Sequence, residues 1–288
     1  MQDAIDRARE AQHPGETPHW LAVAIGNTRA RIALFNGPHL HDPESVDVAD
    51  IAGLTLRISQ RLTGAPAAMV VITSVNPPVC DAVVEDLRRA HHAIPVMRAG
   101  RDLPIPLRHT LEDGTALGED RALNAIAAFD RAQQACVIID AGTAVTIDFV
   151  DGEGTFQGGA IAPGLAVMLA GLHRSTAQLP DIVYEPPEDS TAAFGRDTRA
   201  AMRLGVTAAL RGALRYQLDT IAQAYGAYPQ VVGTGGDVAV LEPTGLVEHV
   251  VPDLQLLGLE VCVRKALAGG EEDDDTSGPP EQSPRLRP

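Results

Sequence analysis

Apolar residues along this chain fall into two kinds of run. Short unbroken stretches, Leu21 to Ile25, Ala30 to Phe35, Ala68 to Thr73 and Val137 to Ile139, have the length of strands, and the last two read as strands buried on both faces. Longer stretches carry helical spacing: Val79 to His91, Gly118 to Arg131 and Leu165 to His173. The longest is Asp197 to Tyr225, with Ala201, Leu204, Ala208, Leu214, Leu218 and Ile221 at roughly helical intervals. Strands alternating with helices predict an α/β fold.

One pattern occurs twice, an apolar strand that enters a tight glycine turn and leaves as a second strand. The first copy is Leu21 to Ile25, then Gly26-Asn27-Thr28, then Arg31 to Phe35. The second is Val137 to Asp140, then Ala141-Gly142-Thr143, then Ala144 to Asp148, and Gly142 follows Gly26 by 116 residues. That separation predicts two related lobes, each opening with a β-hairpin, over residues 19–132 and 133–268, with a ligand cleft between them. Residues 1–18 mix charge with Pro and Gly, and residues 269–288 run through Glu271-Glu272-Asp273-Asp274-Asp275 into a Pro-rich end; both read as disordered extensions.

Composition narrows the chemistry. The 288 residues carry a net charge of -15, which disfavours phosphate backbones and anionic membrane surfaces and favours a small-molecule partner. Lys265 is the only lysine and no glycine-rich run precedes it, so a Walker-type loop is excluded, as is the protein-kinase arrangement with its strand lysine. Phosphate chemistry would have to use backbone amides, Thr, Arg and metal. Cys80, Cys136 and Cys262 are far apart and suggest neither a disulfide framework nor a zinc site. The start of the chain has no leader-like pattern and no apolar stretch approaches the ~20 residues of a membrane span, so the expected location is the cytoplasm.

Several constellations could carry function. A glycine at a hairpin tip lets the backbone approach a ligand, and a neighbouring Asn or Thr adds donors; Gly26-Asn27-Thr28 and Gly142-Thr143 could together grip a polyphosphate, although either alone could be a plain turn. Asp140 ends an apolar run and Asp148 lies eight residues on, carboxylates of the kind that hold hard cations, with a plain strand-end role equally open for Asp148. Glu119 and Asp120 suit a helix start, but Arg121 opposes the helix dipole there; an Asp that accepts a hydroxyl proton beside an Arg that fixes an anion is the alternative. Val231-Val232-Gly233-Thr234-Gly235-Gly236 reads as a strand running into a turn on which a flat nucleoside could lie, and Gly158 to Gly164 could be no more than a loop before the Leu165 helix.

In this order and spacing the motifs carry a resemblance over about residues 20 to 265. Gly26-Asn27-Thr28, Gly118-x-Asp120-Arg121, Asp140-x-Gly142-Thr143-Ala144-x-Thr146-x-Asp148, Gly158-Gly159-x-Ile161-x-Pro163-Gly164, Thr176-Ala177-x-Leu179-Pro180 and Thr234-Gly235-Gly236 make the chain similar to type III pantothenate kinases. These belong to the acetate/sugar kinase, heat-shock-70 and actin superfamily. The resemblance implies two ribonuclease-H-like lobes, a duplicated actin-like ATPase fold that is usually a homodimer. It implies transfer of the γ-phosphoryl group of ATP to pantothenate, with Mg²⁺ and a monovalent cation, K⁺ or NH₄⁺. Carried across, Asp120 is the base, and Gly118, Glu119, Asp120, Arg121 and Thr198 meet pantothenate. Gly26, Asn27, Thr28, Arg29, Gly142, Thr143, Gly235 and Gly236 hold ATP, and Asp140 holds the monovalent cation. Three positions depart from the family pattern: Ala24 stands for the first-loop Asp, Leu111 for a Tyr, and Asp197 for the Asn before Thr198. Two other functions stay open on these grounds, a weakened or inactive ligand-binding or regulatory paralogue, and a small-molecule kinase with another acceptor.

Overall fold

The computed structural model describes residues 19–64, 67–186 and 193–268; both expected extensions lie outside these residues. Two sheets are built from β1 (His19–Ile25), β2 (Arg29–Asn36), β3 (His39–Asp47), β4 (Val70–Ser74), β5 (Val96–Arg98), β6 (Arg108–His109), β7 (Cys136–Ala141), β8 (Ala144–Val150), β9 (Thr155–Pro163), β10 (Gln230–Thr234) and β11 (His249–Val250). The helices are α1 (Ile51–Gly64), α2 (Pro77–Ala90), α3 (Glu119–Ala132), α4 (Leu165–Ser175), α5 (Thr198–Tyr225) and α6 (Leu254–Ala268).

The first sheet has the order β3-β2-β1-β4-β5 and the second β11-β10-β7-β8-β9-β6. Read from the other edge, the second repeats the first with β6 added. In each, the opening hairpin is antiparallel, its second strand pairs antiparallel with the third, and the following two strands run parallel to the first. This repeated order is the duplicated ribonuclease-H-like arrangement that the resemblance implies. Gly26 and Gly142 stand at the same place in the two sheets, at the tips of β1-β2 and β7-β8.

The described residues group into two compact units, residues 19–107, 114–130 and 253–268 in one, residues 108–113 and 131–252 in the other. The sequence suggested a single boundary at 132/133, whereas the chain crosses between units several times. The physical reason is a two-faced first sheet. Leu21, Val23 and Ile25 of β1 pack with Leu54 and Ile58 of α1 and Val83 and Leu87 of α2. The alternate residues Trp20, Ala22 and Ala24 pack with Leu256, Leu259 and Cys262 of α6, and Trp20 stacks on Phe35 at 4.6 Å between ring centroids. With both faces covered, β1 shows no polar alternation. In the second unit Val137, Ile139 and Ala141 pack with Leu165 and Leu169 of α4 and with Met202, Val206, Leu210 and Leu214 of α5.

All three cysteines are buried and unpaired, and burial pushes the thiols of Cys136 and Cys262 up to about 12. Among the described residues no helix is long and apolar enough to cross a membrane.

Candidate active site

In the first unit the candidate site residues gather at one end of the sheet. The Gly26 amide donates to the Arg29 carbonyl across the tip at 3.0 Å, and a side chain at Gly26 would press on that carbonyl at 2.9 Å. Asn27, Thr28 and Arg29 are exposed beyond it, with Arg29 tied through Nε to Ser45 Oγ at 2.6 Å. Position 24 lies two residues before the tip and is only 3% exposed, its methyl group inside the apolar cluster of Trp20, Ala22 and Phe35. Its strand neighbours are Arg31 on β2 and Thr73 on β4. The Arg31 guanidinium is bound by Asp253 at the start of α6.

The helix α3 begins at this same end. Ala122 N–H closes the first helical bond to the Gly118 carbonyl at 3.0 Å. Asp120 Oδ1 accepts the Arg121 backbone N–H at 2.8 Å, satisfying one of the orphan donors of the first turn. A Cβ at Gly118 would lie 2.6 Å from that same oxygen, so glycine here makes room for the Asp120 carboxylate. Glu119 Oε2 accepts from Thr73 Oγ1 at 3.0 Å and from the Ser74 N–H at 3.3 Å. Thr73, Ser74, Arg31 and Asp253 were not singled out from sequence; the only signal was that Thr73 ends the apolar run from Ala68.

In the second unit three glycine motifs meet around Asp140. The tip Gly142-Thr143 is approached by the turn after β9: the Gly164 amide donates to the Thr143 carbonyl at 3.0 Å, and a Cβ at Gly164 would stand 1.9 Å from the Gly142 carbonyl. The turn after β10 comes from the other side. Gly235, at φ +92°, leaves space that a Cβ would fill at 2.6 Å from Asp140 Oδ1 and 2.3 Å from the Ala141 carbonyl, and the Asp237 N–H donates to that carbonyl at 2.8 Å. Burial raises the Asp237 carboxyl above its ordinary range. Of Gly158 to Gly164, for which the sequence allows a plain loop, residues up to Pro163 belong to strand β9. Gly159 is explained by its neighbours on β8, the Ile147 carbonyl at 2.2 Å and Asp148 Oδ1 at 2.3 Å from where a Cβ would stand; Asp148, opposite it, is 1% exposed. Asp148 is thus a buried mid-strand carboxylate.

Thr198 is placed by a different device. Asp197 caps α5 by accepting the Ala200 N–H at 2.8 Å, a role Asp and Asn fill about equally well, so this departure from the family pattern keeps the cap. Thr198 then lines an open groove of about 910 Å³ between α4 and α5, with Met168, Leu172, Leu179 and Met202. Leu111 packs against Gly158, 3.8 Å from where a side chain there would begin.

The two glycines after β10 make a test of this packing. Gly235→Ala should destabilise the protein by about 1–3 kcal/mol, because it combines a positive φ with a clash against two oxygens. Gly236→Ala, which has nothing within 4 Å, should stay within about 0.5 kcal/mol of the parent. Urea unfolding of both variants measures the difference; equal stabilities would mean the turn is not held against Asp140.

Among the described residues no group of three or more His, Cys, Asp or Glu is arranged to hold a metal ion. At Gly235 a carboxylate oxygen of Asp140 and the Ala141 carbonyl lie close together, donors of the kind that hard cations take. Position 24, an alanine, offers no side-chain oxygen for Mg²⁺.

A family model described as Type III pantothenate kinase matches residues 20–220. The Type III pantothenate kinase of Rhodospirillum rubrum is 31% identical over 258 residues, covering 85% of this chain and 98% of that protein. That of Akkermansia muciniphila is 32% identical over 249 residues, covering 84% and 97%. A solved structure of a Baf family protein from Campylobacter jejuni aligns with a TM-score of 0.55 at 20% identity, over 85% of this chain and 98% of its own, which supports the fold. With the motifs of both sheets in place and a match spanning most of its length, this chain belongs to the type III pantothenate kinase family.

Proposed function

We propose that the chain transfers the γ-phosphoryl group of ATP to the hydroxyl of pantothenate, giving ADP and 4'-phosphopantothenate, the first step of coenzyme A synthesis. Family membership supports the reaction, and one observation supports the assignment of its base. Asp120 stands in the first turn of α3 with its carboxylate accommodated by Gly118 and one oxygen anchored by a backbone amide. A carboxylate held this way can accept the proton of an attacking hydroxyl while Arg121 fixes the anionic end of the acceptor. Gly118 and Thr198 complete the acceptor contacts in this reading.

ATP is held by backbone and hydroxyl donors rather than by lysine: Gly26 to Arg29 at one tip, Gly142 and Thr143 at the other, and Gly235 and Gly236 beneath the nucleoside. Asp140 holds K⁺ or NH₄⁺. Mg²⁺ bound with the nucleotide would supply neutralisation of the phosphate charge, on which phosphoryl transfer depends together with positioning. The setting implied is a cytoplasmic homodimer with no nucleic-acid or membrane partner.

The experiment is a coupled ADP-release assay. Release should require pantothenate and Mg²⁺ together and should rise on replacing Na⁺ with K⁺. ADP release equal with and without pantothenate would remove the acceptor assignment. Ala24 favours a weakened form of the same activity, a point that a single substitution can decide.

A further inference from the structure

We propose that Glu119 is a positioning residue for phosphoryl transfer, whose carboxylate latches the first turn of α3 to the C-terminal end of β4 and so sets the direction of Asp120. The inference rests on the reading of Asp120 as the base. A glutamate that merely complements a helix dipole can remain in solvent beside its own first-turn amides. Glu119 instead reaches off its helix: Oε2 takes one hydrogen bond from the hydroxyl of Thr73, a side chain only 3% exposed, and another from the Ser74 amide. Its other oxygen, Oε1, lies over Gly100 in the turn after β5, where φ is +74° and a Cβ would approach to 3.0 Å. The end of β4, the turn after β5 and the start of α3 therefore meet on one carboxylate.

Helix geometry carries the consequence to the next residue. Consecutive helical side chains point about 100° apart, so tying Glu119 to the sheet end fixes the rotation of the first turn and with it the outlook of Asp120. Asp120 has little freedom to compensate, because Oδ1 is engaged by the Arg121 amide and crowded by Gly118. A misplacement of about 1 Å in a reacting group can cost up to about 10²-fold in rate.

The test compares Glu119→Ala, Glu119→Gln, Thr73→Val and the Glu119→Ala/Thr73→Val double variant. Glu119→Ala should lower kcat about tenfold or more with KM for ATP unchanged. Glu119→Gln, which keeps an acceptor oxygen for Thr73 and Ser74, should recover most of the rate. Thr73→Val should reproduce part of the loss, and the double variant should be no slower than Glu119→Ala alone, as expected when both changes break one contact. Hydrogen exchange, which needs no turnover, should quicken at the amides of residues 119–123 in Glu119→Ala while α2 keeps its protection. Parent-like kcat or unchanged exchange at the α3 start in Glu119→Ala overturns the latch. So does a loss of rate that only tracks the folded fraction. Asp120→Asn run beside these variants separates the two failures: a slow Asp120→Asn with a parent-like Glu119→Ala removes the latch alone, whereas a parent-like Asp120→Asn removes the base and the latch with it.

Discussion

Asp120→Asn is expected to reduce turnover by about 10²-fold or more while hardly moving nucleotide affinity. The substitution preserves size and leaves an amide oxygen able to accept the Arg121 N–H, so the helix start and its contact with Gly118 persist. What disappears is the charged oxygen that can take a proton from the acceptor hydroxyl as the phosphoryl group arrives. The fall should therefore appear in kcat, with the dissociation constant of a fluorescent ATP analogue as the control. A variant that turned over at the parent rate would require another base.

The second large effect concerns the first loop. Ala24→Asp is expected to raise ADP release by orders of magnitude, because a methyl group cannot direct a phosphate-bound Mg²⁺ and an oxygen two residues before the tip can. The new carboxylate would enter a site that is 3% exposed, where an isolated charge would be costly. Its strand neighbour Arg31 offers compensation: facing residues of an antiparallel pair have Cβ atoms about 5 Å apart. Arg31 is at present engaged by Asp253, so the variant should fold but redistribute that pair. Brisk release by the Ala24 chain, unimproved by the change, would show that carboxylates elsewhere suffice and would end the view of this protein as a slowed kinase.

Much of this architecture is legible in the order of the residues, for identifiable reasons. The strands β1, β2, β4 and β7 and the helices α2, α3, α4 and α5 come within about two residues of their apolar patterns, and the repeated glycine turn points to the duplicated sheet order. The strand β3, His39-Leu40-His41-Asp42-Pro43-Glu44-Ser45-Val46-Asp47, is an edge strand whose side chains are mostly polar, so it leaves no apolar trace. The strand β9 hides behind glycines that could be a plain loop, of which Gly159 is in fact pressed against the buried Asp148. The helix α6 is buried on so much of its surface that its apolar residues lack one clear stripe. In the site, motifs within one turn could be read directly. The Glu119 to Thr73 bond, spanning 46 residues, and the Arg31 to Asp253 pair, spanning 222, are products of tertiary folding alone.

The placement of α6 has a bearing on how this protein is born. The helix α6, which packs with Trp20, Ala22 and Ala24, is encoded after the whole second unit, so a nascent chain emerging from the ribosome carries this face of the first sheet without its α6 cover until about residue 263 has been added. Synthesis proceeds at roughly 5–20 residues per second, which leaves that face waiting for on the order of ten seconds or more. Domains that complete themselves in chain order avoid such a delay. Here the second unit can mature first, and the exposed Trp20 face is a surface on which a holding chaperone, or an errant copy of the same sheet, could act before the final helix arrives.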